Sequence, residues 1–261
     1  MNSLFKAAFF DLDGTLLNSN NEVLESSKRA LLHLEENGIK TVLISARPPQ
    51  SVEQFHAHIG LKSPFCSLNG AFLVEKSESI SFELTYFNPL TIATFLQIAD
   101  KFQTNISFYG PNFWQVNQVD KWVLEEAFYT WPHYELLSEG YQNALKILFM
   151  GENELLNEIQ DLLKKFPEIQ SFRSHTNYLE VTPKGVAKEK AIEKLVAYWN
   201  ISPAEIMVFG DNFNDAQMIK FAGFGVAMGN APNEIKALAN HVTADNDSDG
   251  IYLALQKLEL I

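Results

Sequence analysis

Apolar residues in the first sixty positions fall into two kinds of run. A continuous apolar run closes the segment Phe5–Phe10, and a near-continuous run covers 39–44. Short continuous runs of this kind predict strands that are buried on both faces of a sheet. Between the two runs, Leu24, Leu31 and Leu34 recur near helical spacing. The N-terminal part therefore predicts strand, helix and strand, followed by a second helix.

The same order of elements recurs near the C-terminus. The pattern predicts a helix at 187–198, a strand at 206–209, a helix at 215–222 and a strand at 224–226. Alternating strands and helices are typical of βαβ units, whose strands are parallel and whose crossovers are right-handed. The sequence thus predicts an α/β fold built on a parallel sheet.

The middle of the chain differs from both ends in composition. Of the 32 aromatic residues, 19 lie within 82–182. Apolar residues repeat at helical spacing over 92–102, and strand-like runs follow at 106–109, 144–150 and 178–181. For any single aromatic residue, core packing is the simpler interpretation, although some should line a cleft. The predicted domain map is therefore a core in two parts, 1–81 and 183–261, with an α+β insert at 82–182 that has its own core.

Composition and charge narrow the classes of function. The chain has 261 residues, and 20 Lys and Arg against 32 Asp and Glu give a net charge of −12. An acidic chain has no long-range attraction for nucleic acid or for an anionic membrane surface. Cys66 is the single cysteine, which excludes an internal disulfide and suits a reducing compartment. The N-terminal apolar run is too short for a signal peptide or a membrane span, so we expect a cytoplasmic protein with no nucleic-acid or membrane partner.

Two acidic clusters each follow a predicted strand. Asp11 and Asp13 follow the first strand, and Asp211 and Asp215 follow the strand at 206–209. A lone Asp-x-Asp-Gly can simply cap a turn. However, the carboxyl ends of parallel strands meet at one edge of a sheet, and four carboxylates gathered there would repel one another without a cation. Because all of these ligands are oxygens, the clusters favour Mg²⁺ over Zn²⁺.

Phosphoryl chemistry on Mg²⁺ also needs cationic and neutral donors for the phosphate oxygens. Ser45 closes the second predicted strand, and Lys188 lies at the start of a predicted helix, where the helix dipole adds positive charge. Taken alone, Ser45 is more often a turn residue and Lys188 more often a solvated charge. Their order along the chain relative to the two acidic clusters makes them candidates for phosphate binding.

Together these residues resemble the four motifs of the haloacid dehalogenase superfamily of aspartate-nucleophile phosphatases. The motifs are Asp11-Leu12-Asp13-Gly14-Thr15-Leu16, then Ser45-Ala46-Arg47-Pro48, then Lys188, then Gly210-Asp211-Asn212-Phe213-Asn214-Asp215. The insert lies between the second and third motifs, which resembles the class IIB cap of the Cof-type branch. The resemblance implies a Rossmann-like parallel-sheet core with an inserted α+β cap domain.

The resemblance also implies a role for each motif residue. Asp11 is the expected nucleophile, and Asp13 is the expected general acid and base. The expected magnesium site uses the Asp11 side chain, the Asp13 backbone carbonyl and the Asp211 side chain, while Asp215 supports the metal's waters or orients Lys188. The expected phosphate and substrate contacts are Ser45, Ala46, Arg47, Lys188 and Asn214 of these motifs, together with Asn69 of Ser67-Leu68-Asn69-Gly70-Ala71, a further match to the Cof-type branch.

We therefore expect a Mg²⁺-dependent phosphatase that acts on a small phosphorylated metabolite, with a sugar phosphate favoured, as a monomer or homodimer. A phosphomutase is an alternative, but it needs a second anion site in the cap, and 82–182 holds six Lys and Arg against thirteen Asp and Glu. A catalytically inactive binding protein is another alternative, although such proteins usually lack the nucleophile or the acid. Within the cap, the loop from Gly110 to Trp114 is the expected cleft-facing segment.

Overall fold

The protein was analysed as a computed structural model, which describes residues 4–75, 83–131, 133–137 and 143–261. Its strands are β1 (Ala7–Phe10), β2 (Lys40–Ile44), β3 (Phe65–Ser67), β4 (Phe72–Val74), β5 (Asn105–Tyr109), β6 (Trp114–Val116), β7 (Glu135–Leu136), β8 (Lys146–Met150), β9 (Ile169–His175), β10 (Tyr178–Pro183), β11 (Ile206–Gly210), β12 (Phe224–Ala227) and β13 (His241–Val242). Its α-helices are α1 (Glu25–Glu36), α2 (Pro49–Ile59), α3 (Pro89–Phe102), α4 (Lys121–Tyr129), α5 (Asn153–Leu163), α6 (Lys188–Tyr198), α7 (Ala216–Phe221), α8 (Asn233–Lys236) and α9 (Gly250–Lys257).

The first sheet is formed by both ends of the chain, in the order β13-β12-β11-β1-β2-β3-β4. Its neighbouring strands are parallel except for the antiparallel pair β3 and β4. The central strand β1 lies between β2 and β11, with Phe10 opposite Leu43 on one side and Phe209 on the other. The α/β fold predicted from the alternating pattern is confirmed.

Strand β1 shows why its sequence is continuously apolar. Ala8 and Phe10 belong to one hydrophobic cluster, which also contains residues of α1 and α9. Ala7 and Phe9 belong to a second cluster, which contains residues of α6, α7 and α8. Because helices cover both faces of the sheet, every residue of the strand is buried.

The second sheet is formed by the middle of the chain, in the order β7-β6-β5-β8-β10-β9. Its pairs are antiparallel except for β6 and β7. One face packs in a cluster with residues of α3 and α5. The other face packs in a cluster that joins Tyr109 and Leu148 to Val123 of α4 and to Leu68 of the turn after β3. This second face therefore packs against the turn that follows β3 of the first sheet.

The predicted boundary between residues 81 and 82 lies outside the described residues, and the predicted domain map remains a prediction. No helix in the described ranges is long and apolar enough to cross a bilayer.

Candidate active site

The two acidic clusters leave the same edge of the first sheet. Asp11 directly follows β1, and Asp211 directly follows the neighbouring parallel strand β11. The Asp11 amide donates a hydrogen bond to the Phe209 carbonyl at 3.1 Å, which ties the start of one loop to the end of the other strand. As a result, carboxylate oxygens of Asp11, Asp211 and Asp215 lie within 4.8 Å of one another. Three of the four carboxylates predicted to meet at this edge therefore do so.

Lys188, the first residue of α6, reaches into this group of carboxylates. Its ammonium donates to Asp11 Oδ1 at 2.6 Å and to Asp215 Oδ1 at 2.7 Å, and the side chain is only 1% exposed. The other oxygen of Asp215, Oδ2, accepts hydrogen bonds from the amides of Asp211 and Asn212 at 3.0 and 3.1 Å. Asp215 thus orients Lys188 and fixes the loop that carries Asp211.

The crowding of carboxylates changes their proton affinities. Burial, followed by the charge of Asp215, raises the pKa of Asp11 well above its usual value. The same two causes raise the pKa of Asp211 to about 7, although a hydrogen bond from the Thr15 hydroxyl at 2.8 Å opposes the rise. Burial alone would lower the pKa of the Lys188 ammonium, but Asp11 and Asp215 raise it above its usual value. The single positive charge of Lys188 therefore does not offset the negative charge of the three carboxylates.

This donor set fits a hard divalent cation. Asp11, Asp211 and Asp215 offer only oxygen atoms, which Mg²⁺ prefers. Gly14, at a φ of +77°, lies so close that an added Cβ would be 2.4 Å from Asp211 Oδ2. A residue without a side chain is thus required for Asp211 to keep its position.

Asp13 stands apart from this cluster. Its side chain is 54% exposed and forms a forked ion pair with Arg47, in which Nε lies 2.9 Å from Oδ2 and Nη2 lies 2.6 Å from Oδ1. The guanidinium is buried, and it also donates to Asn21 Oδ1 at 2.6 Å and to the carbonyl of Tyr129 at 2.8 Å. Arg47 therefore holds the Asp13 side chain. Because Tyr129 is the last residue of α4, Arg47 also links the loop after β2 to the C-terminal end of that helix.

The remaining predicted contacts surround the loop after β2. Ser45 is fully buried, and its hydroxyl oxygen accepts a hydrogen bond from the Arg47 amide at 3.1 Å. The Ala46 carbonyl accepts one from the Lys146 ammonium at 2.9 Å. Asn69, predicted to face the cleft, instead donates to Glu180 Oε2 at 2.6 Å, and it does not line the cavity described next.

A cavity of about 400 Å³ opens over the acidic edge. Its wall from the first sheet's loops is Asp11, Asp13, Ala46, Arg47, Asn212 and Asn214. Its wall from the second sheet and α4, here called the cap wall, is Glu125, Glu126, Tyr129, Thr130, Lys146, Leu148, Ser174, His175, Tyr178 and Glu180. The loop from Gly110 to Trp114, expected to face the cleft, contributes none of these residues. Trp114 is buried and stacks on Tyr109 at a centroid distance of 5.5 Å, so its ring serves the core of the second sheet.

The cap wall contains charged side chains that the sequence pattern did not single out. Lys146 Nζ lies 3.2 Å from Glu180 Oε2, and both side chains are almost fully buried. Glu126 is also buried, and burial raises its pKa while Lys146 opposes the rise. One signal was available: Lys146 and Glu180 each interrupt an apolar strand run, and a buried charge in such a run often marks a functional site.

Comparison with known proteins identifies the same family that the sequence motifs resemble. The family described as haloacid dehalogenase-like hydrolase matches residues 8–255. A relative from Haemophilus influenzae is 37% identical, covering 97% of this chain and 98% of its own. A pyridoxal phosphate phosphatase of Escherichia coli is 26% identical, covering 92% of this chain and 94% of its own.

Solved structures share the whole architecture. A haloacid dehalogenase-like hydrolase from Bacteroides thetaiotaomicron superposes with a TM-score of 0.88 and 27% identity, covering 97% of this chain and 99% of that one. A structure described as a HAD subclass IIB sugar phosphatase superposes with a TM-score of 0.85 and 25% identity, covering 98% and 100%. The chain therefore belongs to the haloacid dehalogenase superfamily, in its Cof-type class IIB branch, and is a phosphoric monoester hydrolase.

Proposed function

We propose that this phosphatase is Mg²⁺-dependent and hydrolyses a small phosphorylated metabolite, a sugar phosphate, through an aspartyl-phosphate on Asp11. The observation that supports the proposal best is the buried group of Asp11, Asp211 and Asp215 around the Lys188 ammonium. Asp11, Asp211 and the Asp13 carbonyl would hold the ion, with Asp215 beside them. When bound, Mg²⁺ offsets the repulsion between the carboxylates and the phosphate.

In the first step, Asp11 attacks the phosphorus. Lys188 holds Oδ1 of Asp11 at 2.6 Å, so we assign the attack to Oδ2. A bond forms between Oδ2 and phosphorus while the ester bond to the leaving oxygen breaks. Asp13 gives its proton to that oxygen, and the alcohol leaves.

In the second step, water takes the place of the alcohol. Asp13 accepts a proton from the water while the water oxygen forms a bond to phosphorus. The bond between phosphorus and Asp11 Oδ2 breaks, which releases inorganic phosphate and restores the Asp11 carboxylate. The forked ion pair with Arg47 holds the Asp13 carboxylate in one orientation beside the cavity, where both proton transfers take place. Lys188 and Ser45 would bind the phosphoryl oxygens, where charge develops in both steps.

The cap wall supports hydrolysis over a mutase reaction. A mutase must bind a phosphate at each end of its substrate, and so it needs a cation on the cap. The Lys146 ammonium in this wall is already bonded to Glu180 and to the Ala46 carbonyl.

We place the activity in the cytoplasm, where the buried free thiol of Cys66 is expected to stay reduced.

Phosphate release from 4-nitrophenyl phosphate and from a panel of sugar phosphates tests the proposal. EDTA should reduce release to background and Mg²⁺ should restore it, since the proposed ligands are hard oxygens. Ca²⁺ should support little turnover, because its larger and looser coordination shell misplaces nucleophile and phosphorus. Full activity in EDTA, or rescue by Zn²⁺ alone, would contradict the site.

A further inference from the structure

The cap wall carries an excess of negative charge. Its carboxylates are Glu125 and Glu126 on α4 and Glu180 on β10, whereas its one ammonium belongs to Lys146 on β8. Any substrate whose phosphate lies beside Asp11 must place its leaving group in the remainder of this 400 Å³ cavity. The chemistry of the wall therefore bears on which leaving groups can bind.

The two cations that line the cavity are both engaged by other groups. Lys146 is bonded to Glu180 and to the Ala46 carbonyl, and Arg47 is paired with Asp13. Within the part of the chain that the structure describes, no ion pair joins Glu126 to a cation. A second anionic group on the substrate would lie beside these carboxylates without a free cation, and like charges in a desolvated site are costly.

Glu126 is held by neutral hydrogen-bond donors. Its Oε1 accepts hydrogen bonds from the Tyr109 hydroxyl at 3.3 Å and the Thr130 hydroxyl at 3.2 Å, and Tyr178 bonds to the same carboxylate. An ionised carboxylate has about four acceptor positions, so these three donors leave about one unused on Glu126, which lines the cavity. A hydrogen-bond donor on the substrate would complete the hydrogen bonding of the Glu126 carboxylate, and a cationic donor would also favour the charged form of this buried acid.

Two further polar atoms at the cavity lack a partner. Ser174 Oγ and Asn214 Oδ1 are buried without a hydrogen bond among the described residues, and both residues line the cavity. Ser174 lies on β9, and its carbonyl accepts a hydrogen bond from Asn212 Nδ2 at 3.3 Å, so it stands where the cap wall meets the Asp211 loop. A buried polar atom without a partner destabilises the site, and a ligand hydroxyl or amine at this point would supply the missing hydrogen bond.

We propose that the cap wall is a leaving-group subsite that accepts amines and hydroxyls and rejects a second phosphate or a carboxylate, with Glu126 as its specificity-determining residue. This inference rests on the proposed phosphatase function and names the substrate class for the same site. The preferred substrate is a monophosphate whose leaving group is neutral or cationic and rich in hydrogen-bond donors.

A matched panel of substrates tests the charge preference in the unaltered enzyme. Glucosamine 6-phosphate, glucose 6-phosphate, 6-phosphogluconate and fructose 1,6-bisphosphate offer an amine, a hydroxyl, a carboxylate and a second phosphate. We expect kcat/KM for the amine and hydroxyl substrates to exceed that for the two anionic ones by at least about tenfold, as the loss of one charged interaction would give. Equal or higher kcat/KM for the bisphosphate or the carboxylate would overturn the inference.

Glu126→Gln tests the assigned residue, and Glu158→Gln is the matched control. Glu158 lies exposed on α5 and outside the cavity, so its variant removes the same charge from the cap without touching the wall. The ratio of kcat/KM for glucosamine 6-phosphate to that for 6-phosphogluconate should fall about tenfold in Glu126→Gln and stay within about twofold in Glu158→Gln. An unchanged ratio in a folded Glu126→Gln would overturn the role of Glu126, and if that variant fails to fold, the panel on the unaltered enzyme still decides the charge preference.

The compound 4-nitrophenyl phosphate separates a failure of this inference from a failure of the proposed function. If the unaltered enzyme releases phosphate from it in a Mg²⁺-dependent manner but prefers anionic leaving groups, only the subsite inference fails. If the enzyme hydrolyses neither this compound nor any member of the panel with Mg²⁺, both proposals fail.

Discussion

The two walls of the cavity treat their buried charges differently. At the edge of the first sheet, Lys188 bonds to both Asp11 and Asp215, so cation and carboxylates share one tight network. On the cap wall, Lys146 pairs with Glu180, but the neighbouring Glu126 is held by the hydroxyls of Tyr109 and Thr130 instead of by a cation. The first arrangement suits the phosphoryl group that every substrate shares, whereas the second suits the leaving group, which differs between substrates. The comparison predicts that changes at the edge alter turnover in general and that changes on the cap wall alter selectivity.

Among changes that leave the proposed nucleophile in place, the largest expected effect is that of Lys188→Met. The methionine is similar in length but carries no charge, so Asp11 and Asp215 lose their ammonium partner, as the phosphoryl oxygens would in the proposed mechanism. We expect kcat/KM to fall by about 10²–10³-fold, by a similar factor for every substrate, as for the removal of one donor to a developing charge. Steady-state kinetics on the four-member panel measures this.

Lys190→Met is the control for that experiment. Lys190 lies two residues after Lys188 in α6, and its ammonium forms an ion pair with Glu193 at the surface. This variant should keep the parent kcat/KM. A Lys188→Met enzyme that loses one substrate selectively and spares the others would break the division between the two walls.

The second prediction concerns the pH dependence of stability in the metal-free protein. The pKa of Asp211 is raised to about 7, so between the usual aspartate range and pH 7 the folded state binds more protons than the unfolded state. The free energy of unfolding in EDTA should therefore fall as pH rises from 5 to 8, with a slope of up to about 1.4 kcal/mol per pH unit for one proton. Mg²⁺ competes with these protons, so its stabilising effect should grow over the same range.

Urea unfolding at several pH values, with and without Mg²⁺, measures this slope. Asp211→Asn cannot lose a proton at that position and should flatten the dependence. Stability in EDTA that rises with pH over this window would contradict the electrostatic account of the edge.

The smallest effect is expected for Arg47→Lys. A lysine keeps the charge but cannot form the forked contact with Asp13 while also reaching the Tyr129 carbonyl. We expect kcat to fall about tenfold with little change in KM, because Asp13 would be less well oriented for proton transfer. Arg29→Lys, an exposed position on α1, is the matched control and should have the parent kcat. An unchanged kcat in Arg47→Lys would remove the orienting role.

The two walls also differ in how far the sequence could predict them. Asp11, Asp211 and Lys188 each lie at a strand end or a helix start, and adjacent parallel strands bring such positions together in any fold of this kind. The local pattern was therefore sufficient to bring these three residues to one edge, although Asp13, expected in the same group, pairs with Arg47 instead. It was also sufficient for the βαβ order and for strands buried on both faces.

The cap wall could not be predicted in the same way. Its residues come from α4, β8, β9 and β10. These elements are brought together by the strand order of the second sheet and not by a short sequence motif. The loop from Gly110 to Trp114 was expected at the cleft, but none of its residues lines this cavity, and the ring of Trp114 packs on Tyr109 in the core. Asn69 was expected at the cleft, but its amide instead completes the bonding of the buried Glu180, a partner that lies 111 residues away in the chain.

The central claim is that Asp11 becomes phosphorylated during turnover, and chemical trapping tests it most directly. An acyl phosphate is reduced by borohydride to an alcohol, so acid-quenched enzyme treated in this way should yield homoserine in the peptide that contains Asp11. We predict homoserine at position 11 only when substrate and Mg²⁺ are both present, and none in Asp11→Asn, which should also lose turnover because the amide is a poor nucleophile. Turnover within tenfold of the parent in Asp11→Asn, or trapping at another carboxylate, would contradict the account.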